Sequence, residues 1–501
     1  METHHRPSGD GYGPARNELE VTIAYLCAPA AGPRDHSTVE EFLRERGNEI
    51  ERLLYQAYLQ HRSAEDRREA EARAAVTGAS VHAVTRPIES LFGKVTLERC
   101  AAPATPDTPR DFPLDRVLNL PHESYTLPVR QRVAELARNV SMEQTVQGID
   151  RTTGAHVPKR QVEELVARAA QDFDAFYAQR PPAANDTTSD ATLLVLSCDS
   201  KGVTMVPTAL RDATRKTAQS ARATQPAHSD PMAPRKKRKH DKRMAIVTAV
   251  YDQEPHVRTT TDVVQGLLRK PQDPARPAPP RPRNKTVAAS VVKSQKDGIR
   301  EMFDEGARRD PEHLRQTVVL VDGEERQQAT IKEQARVRRW SITMIVDLIH
   351  VLSYVWKAAA ALFKSDPARI DVSVTSYLQM LLDGDVRLLA RHLRRLATEQ
   401  KLSPEERKPV DRCVGYLRKN AKYLRYDQYL AAGYPLATGV IEGACRHLVE
   451  DRMGITGARW DLVSADAVLR LRALAINGDW DAYWNFHQEQ HKLRNTLKRA
   501  S

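Results

Sequence analysis

The sequence is short of cysteine, of long apolar runs and of a secretory start, and each shortage removes a class of protein. Its five cysteines, Cys27, Cys100, Cys198, Cys413 and Cys445, are odd in number and far apart. No CxxC pair occurs, so neither a zinc ribbon nor a disulfide framework is expected. The longest apolar stretches, such as Ala191–Leu196, are strand-sized rather than membrane-sized. The opening METHHRPSGDGYGP has no apolar core behind a basic segment, unlike a secretory signal. A soluble protein of the reducing cytoplasm is the expectation.

What is present points elsewhere. The 501 residues suffice for about three domains with cores of their own. Hydrophobic residues are 41% and charged residues 28%, a balance for globular domains joined by polar stretches. The net charge of +12 draws polyanions by long-range attraction, and nucleic acid is the commonest such partner.

Along the chain, residues 1–38 are rich in Gly, Pro and small polar residues and read as a loose tail. From Thr38 to about Val76 apolar residues recur at helical spacing among many Glu and Arg, predicting a charged amphipathic helix or helix pair. A β segment over Gly93–Cys100 precedes a Pro-rich connection. Residues 141–177 predict one helix from Ser141, a turn at Thr152–Gly154 and a second helix from about Pro158. That is helix-turn-helix spacing, with Lys159 and Arg160 at the start of the candidate recognition helix; an ordinary helical hairpin would read the same way.

After a polar linker the pattern turns to β. ATLLVLSCDSKGVTMV reads as a hairpin turning at Asp199–Gly202, and MAIVTAVY (Met244–Tyr251) as a central strand. Between them, residues 207–242 look like a polar insertion, carrying the basic run Arg235, Lys236, Lys237, Arg238 and Lys239. That run suits a phosphate-binding loop, a nuclear-import signal or a plain solvated face. Helices are predicted near 260–269, 295–307 and 325–337, and strands over Thr317–Val321 and Ser341–Val346. An Arg- and Leu-rich helical block follows. The whole suggests an α/β fold with a mixed sheet flanked by helices.

Three acidic residues stand out by position. Asp199 ends the run LLVLSCD, Asp322 ends VVLVD, and Glu442 lies early in the helix opened by TGVIEG. Taken singly, Asp199 and Asp322 are also good turn residues, and a Glu at a helix start also favours the helix dipole. Together, carboxylates from two strand ends and a neighbouring helix can meet outside a sheet edge. Three hard oxygen ligands there suit Mg2+ or Mn2+. Two such ions about 3.5–4 Å apart can stabilise both the attacking and the leaving oxygen of an in-line phosphodiester displacement.

The combination resembles the ISKra-four family of insertion-sequence transposases, relatives of the Mutator-type DDE enzymes. The most specific stretch is GVIEGACRHLVEDRMGITGARWDLVSADAVLRLRALAINGDWDAYWNFH, 439–487. KRMAIVTAVYDQEP, TVVLVDGEERQ and SITMIVDLIHVLSYVWKAA are similar too, so the likeness spans most of 85–490. It implies an RNase H-like core with the catalytic, metal-holding triad on Asp199, Asp322 and Glu442. Asp347-Leu-Ile-His350 looks like the C/D(2)H signature of the Mutator-type enzymes, which makes His350 a candidate to donate to a leaving oxygen or to hold DNA. A helix-start His bonded to backbone is the plain alternative. Arg446 is placed to bond a phosphate or to pair with Glu442. Arg452, Arg459 and Trp460 are candidates to grip and stack DNA, with core packing the alternative for Trp460. Related proteins often have a cysteine-bearing metal turn near the N-terminal β segment; Cys100 has no partner nearby, so no zinc site is expected there.

The resulting division is a tail (1–38), a helical arm (39–84), a DNA-binding region (85–180) and a catalytic core (190–350). A helical insertion (351–435), the core's last helices (436–490) and a tail (491–501) complete it. The resemblance implies binding of double-stranded DNA at terminal inverted repeats, cleavage and strand transfer, and at least a dimer on DNA. A catalytically silent DNA-binding regulator and an RNase H-like nuclease without strand transfer are the alternatives.

Overall fold

The computed structural model describes residues 11–29, 32, 34–78, 80–102, 111–180, 192–223, 241–267, 278–364, 366–455 and 457–497. Two compact units emerge, Met1–Gln179 with Gly478–Ser501, and Arg180–Asn477.

The charged segment of the first unit forms one helix rather than a pair, His36–Thr77. The Asp35 side chain caps it by accepting from the Thr38 amide at 2.9 Å, and Gly78, at φ 70°, ends it in the left-handed conformation. The loose-tail expectation fails for Gly13–Cys27, which is helical. Side-chain contacts recruit it: Tyr25 packs on Phe42 with ring centroids 4.2 Å apart, and Glu18 pairs with Arg46 at 2.6 Å. Strands β1 (Ala83–Ser90) and β2 (Gly93–Cys100) form an antiparallel ribbon. Leu59 of the long helix packs with Ile88, Val95, Leu97, Leu114 and Leu120 in one apolar cluster.

Helices Leu127–Ala137, Met142–Thr152 and Lys159–Ala169 pack on one another. Ser141 and Gln144 form a reciprocal capping box, and Ile149, Val157, Val162 and Val166 are buried. Gly154 is needed for close approach: its amide donates to the Leu91 carbonyl at 2.7 Å, and a Cβ there would strike the Phe92 carbonyl. Helix Trp480–Leu497, expected with the sheet, belongs to this unit. Its buried His487 bonds Arg130 at 3.0 Å and Asp172 at 2.6 Å, which ties it to the N-terminal helices.

The second unit is built on a five-stranded mixed sheet of order β5-β4-β3-β6-β7. Here β3 is Leu193–Thr204, β4 Lys242–Gln253, β5 Arg283–Ser290, β6 Thr317–Val321 and β7 Ile342–Val346. β4 pairs antiparallel with β3 and β5, while β3, β6 and β7 run parallel. The expected hairpin at Asp199–Gly202 is absent. β3 runs straight through these residues because β4 pairs with it continuously from Leu193↔Gln253 to Thr204↔Lys242. β5, rich in polar residues, has little of the apolar signal that marks the inner strands.

Residues 207–223 do not leave the fold as expected: they form a short turn, Pro207–Ala209, and a helix, Asp212–Ala223. Lys242 already begins β4. The basic run Arg235–Lys239 lies outside the described residues. Beyond β7 come helices Leu348–Phe363, Pro367–Leu382, Val386–Glu399, Pro404–Asn420 and Tyr426–Ala431. Then follow Gly439–Ala444, a π-helical turn over Cys445–Glu450, and Leu462–Ile476, which packs on β5. Among the described residues no helix is long and apolar enough to cross a membrane.

Candidate active site

Asp199 and Asp322 are brought together by strand register. β3 and β6 pair from Leu194↔Thr317 to Ser197↔Leu320, and two residues further along each chain stand the two aspartates. Asp322 directly follows β6, while Asp199 lies on the part of β3 that outruns β6 and pairs only with Val247 of β4. The edge beyond β6 therefore carries both carboxylates, each half-buried.

Each is held locally. Asp322 folds back to accept the Glu324 amide at 3.0 Å. The turn continues through Gly323, at φ 90°, where a Cβ would also collide with the Tyr416 hydroxyl. That hydroxyl donates to the Asp322 carbonyl at 2.5 Å. Asp199 accepts the Ser200 amide at 2.6 Å on Oδ1 and the Cys445 thiol at 3.4 Å on Oδ2.

Glu442 is positioned from the other side of the site. Asp347, buried after β7, uses Oδ1 to cap the next helix at the His350 amide (2.9 Å). Its Oδ2 accepts the Thr438 amide at 2.8 Å and the Thr438 hydroxyl. Thr438 precedes helix Gly439–Ala444, and its carbonyl accepts the Glu442 amide at 2.9 Å. One buried carboxylate thus ties the end of β7 to the helix that presents Glu442. The following π turn is clasped to β3 twice, by the thiol on Asp199 and by the 2.6 Å ion pair of Glu450 with Lys201.

Negative charge accumulates at this edge of the sheet. Burial raises the Asp322 carboxyl above its ordinary range, and the charges of Asp199 and Glu324 push the same way against the Glu324 amide and His350. Glu442 is raised by partial desolvation and by Asp347 and Asp199, with Lys201 opposing. Asp199 is the charge common to both. Burial and the neighbouring Asp199 raise the Cys445 thiol, which keeps it a donor.

The carboxylate oxygens of Asp199, Asp322 and Glu442 are donors of the class a hard divalent cation takes, and the His350 imidazole also acts on Asp322. Among the described residues no three His, Cys, Asp or Glu side chains are grouped closely enough to hold a metal ion. Asp199 and Asp322 share the sheet edge half-buried, while Glu442 is exposed on its helix.

The other predicted residues divide. His350 lies beside the site with its ring 5.5 Å from Tyr354 and 5.9 Å from Tyr416, and its charge acts on Asp322. Arg446 is exposed and faces Asp451 at 3.6 Å rather than Glu442. Arg459 is exposed. Arg452 and Trp460, expected to grip and stack DNA, are 2% and 5% exposed, with the guanidinium 4.7 Å over the indole ring. Their stack is internal, because the Trp460 backbone bonds Thr204 and Val206 and folds this loop onto the end of β3. Lys159 and Arg160 are exposed in the first unit, the Arg160 side chain 88% so.

Three residues at the site escaped the sequence reading of roles: Tyr416, Lys201 and Asp347 as a tie to Thr438. The DLIH motif marked Asp347, but no local pattern links Tyr416, in a distant helix, to the turn after β6.

No protein-family model matches this chain, and no curated protein is similar to it.

Proposed function

We propose that the chain is a DNA transposase with an RNase H-like core, cleaving DNA at the ends of a mobile element and joining them to a target. The observation that carries this reading is the parallel register of β3 and β6, with Asp199 and Asp322 side by side at its end; Glu442 stands on the helix that Asp347 ties to the end of β7. A mixed sheet with one acid on a strand and another just past the end of its parallel neighbour suits the RNase H-like expectation.

In this reading Asp199, Asp322 and Glu442 hold Mg2+ or Mn2+. When bound, such ions lower the pKa of an attacking water or 3′-hydroxyl and neutralise charge on the phosphate. The chain's own residues do the rest. Asp347 and Thr438 fix the helix that carries Glu442, and Cys445 and Ser200 orient Asp199. Tyr416 and Gly323 hold the turn from which Asp322 projects. His350 would donate a proton or hydrogen bond to an oxygen of the phosphate.

The helices around Gly154 support the helix-turn-helix part of the reading, because the second of them opens with exposed Lys159 and Arg160. They would engage the terminal inverted repeats, with two protomers bringing two ends together.

The test is incubation of the full chain with a duplex carrying the inverted repeats that flank its gene, plus Mg2+ and a target plasmid. Nicking at the repeat ends together with joined products supports a transposase. Nicks without joining leave a nuclease. Tight, specific binding without nicks in Mg2+ or Mn2+ leaves a regulator and overturns the proposal.

A further inference from the structure

Helix Val386–Glu399 (VRLLARHLRRLATE) is sharply two-faced. Val386, Leu389, Ala390, Leu393 and Ala397 are buried, which fixes the opposite face outward. That outward face carries exposed Arg387, Arg391, Arg394 and Arg395. Arg387, Arg391 and Arg394 follow at i, i+4 and i+7, so they form one stripe along the helix.

Some basic residues on other exposed helices of this protein find acids one turn away, as in Arg62–Glu65, Arg407–Asp411 and Lys408–Glu405, while exposed Arg412 and Arg418 do not. On this helix Arg395 does so, with Glu399 at 3.4 Å. No carboxylate among the described residues pairs with Arg387, Arg391 or Arg394. Three like charges held within about 10 Å of helix rise repel one another in the absence of an anion. That length spans about three phosphate steps of one strand of a duplex.

The helix packs on Pro404–Asn420, which carries Tyr416 against Asp322. The stripe is therefore one helix removed from the acidic edge. Guanidinium groups bind phosphate oxygens in bidentate fashion, which suits a repeating phosphodiester backbone.

We propose that Arg387, Arg391 and Arg394 form a sequence-independent phosphate-gripping face for duplex DNA, which rests on the reading that this chain acts on DNA. The face positions the duplex and reads no bases.

The test is a salt titration of duplex binding by the full chain, unmodified and as the triple variants R387Q/R391Q/R394Q and R387K/R391K/R394K. The glutamine variant is expected to lower the magnitude of the slope of log K against log salt by about 2–3, near 0.9 for each lost phosphate contact. Affinity should fall equally for unrelated duplexes, and the lysine variant should keep most of the slope. Equal thermal midpoints verify that the variants fold. An unchanged slope in the glutamine variant overturns the face while leaving DNA action intact. Competition by polyglutamate as strong as by duplex of equal charge assigns the face to acidic protein and also overturns it. Absence of any duplex binding by the unmodified chain removes the parent reading as well.

Discussion

The thiol of Cys445 donates to Oδ2 of Asp199 across 3.4 Å, joining a π-helical turn to the strand at the centre of the sheet. An S–H group is a weak donor, but here the acceptor is a carboxylate that the proposed chemistry needs in one orientation. Cys445→Ala removes the donor and Cys445→Ser keeps one. Loss of about 1 kcal/mol of orientation is roughly a fivefold effect. Cys445→Ala should slow cleavage about fivefold and raise the Mg2+ concentration for half-maximal rate, with Cys445→Ser closer to the parent. Identical metal titrations for the two would show that the thiol only fills space.

Removing a member of the acidic set separates chemistry from binding. Asp199→Asn, Asp322→Asn and Glu442→Gln should each cut cleavage about a hundred- to a thousandfold, the scale of losing a major electrostatic contact to the reacting centre. Duplex affinity should hold or rise, since a negative charge is lost. Gel-shift and nicking assays on the same preparations check this, and full activity in any of the three variants would remove that residue from the site.

The raised Asp322 carboxyl has a consequence for stability without any DNA. An acid whose pKa is higher folded than unfolded costs stability once pH passes its ordinary range, about pH 4, and the cost is complete above the folded value. Asp322→Asn should therefore raise the thermal midpoint at neutral pH in EDTA and change it little at pH 4. Mg2+ should raise the midpoint of the parent protein and lose that effect in the variant. A lower midpoint for Asp322→Asn at neutral pH would contradict a raised Asp322 carboxyl.

The tie from Asp347 to Thr438 and the His350 amide is buried, so its loss leaves donors unsatisfied. Asp347→Ala should cost about 2–4 kcal/mol, combining a lost helix cap with buried amides lacking acceptors. Thr438→Val, which removes only the hydroxyl, should cost about 1 kcal/mol, and Thr438→Ser little. Urea denaturation read from the sheet-bearing unit measures all three. Equal costs for the valine and serine variants would mean that the hydroxyl bond is unimportant.

The first unit carries its own acid sensitivity. His487 and His491, both buried, are lowered chiefly by desolvation, with Arg130 and Arg494 adding to it, and His491 falls to about 4. An imidazole that stays neutral when folded but takes a proton when unfolded favours unfolding as pH drops from about 6.5 toward the folded pKa. The midpoint of this unit should fall over that range, and His491→Asn should flatten the slope. A flat profile from pH 7 to 4 in the parent would refute this.

What could be read from the chain followed the strength of local signals. TVVLV before Asp322 is a short, wholly buried strand, and both its limits and the acid after it were legible. DSKG after LLVLSC has the composition of a turn, yet twelve residues of β4 hold it extended, so the position of Asp199 is set by the sheet and not by the turn expected there. RNKTVAAS lies at the edge of the sheet, where polar residues are tolerated, and gave no strand signal. Arg452 and Trp460 look identical in sequence whether they face solvent or each other; only the loop's return to β3 decides it. Partners remote in sequence, such as Tyr416 for Asp322, leave no local trace.

In the winding over Cys445–Glu450, residues five apart come round to the same side, and this is why one short turn can reach both Asp199 and Lys201. An ordinary α-helix would swing Glu450 by about 100° for each residue of slippage and aim it away from the strand. Shortening this turn by a single residue would therefore unlatch one end of it while leaving Asp199, Asp322 and Glu442 in the chain, a lesion of spacing rather than of chemistry.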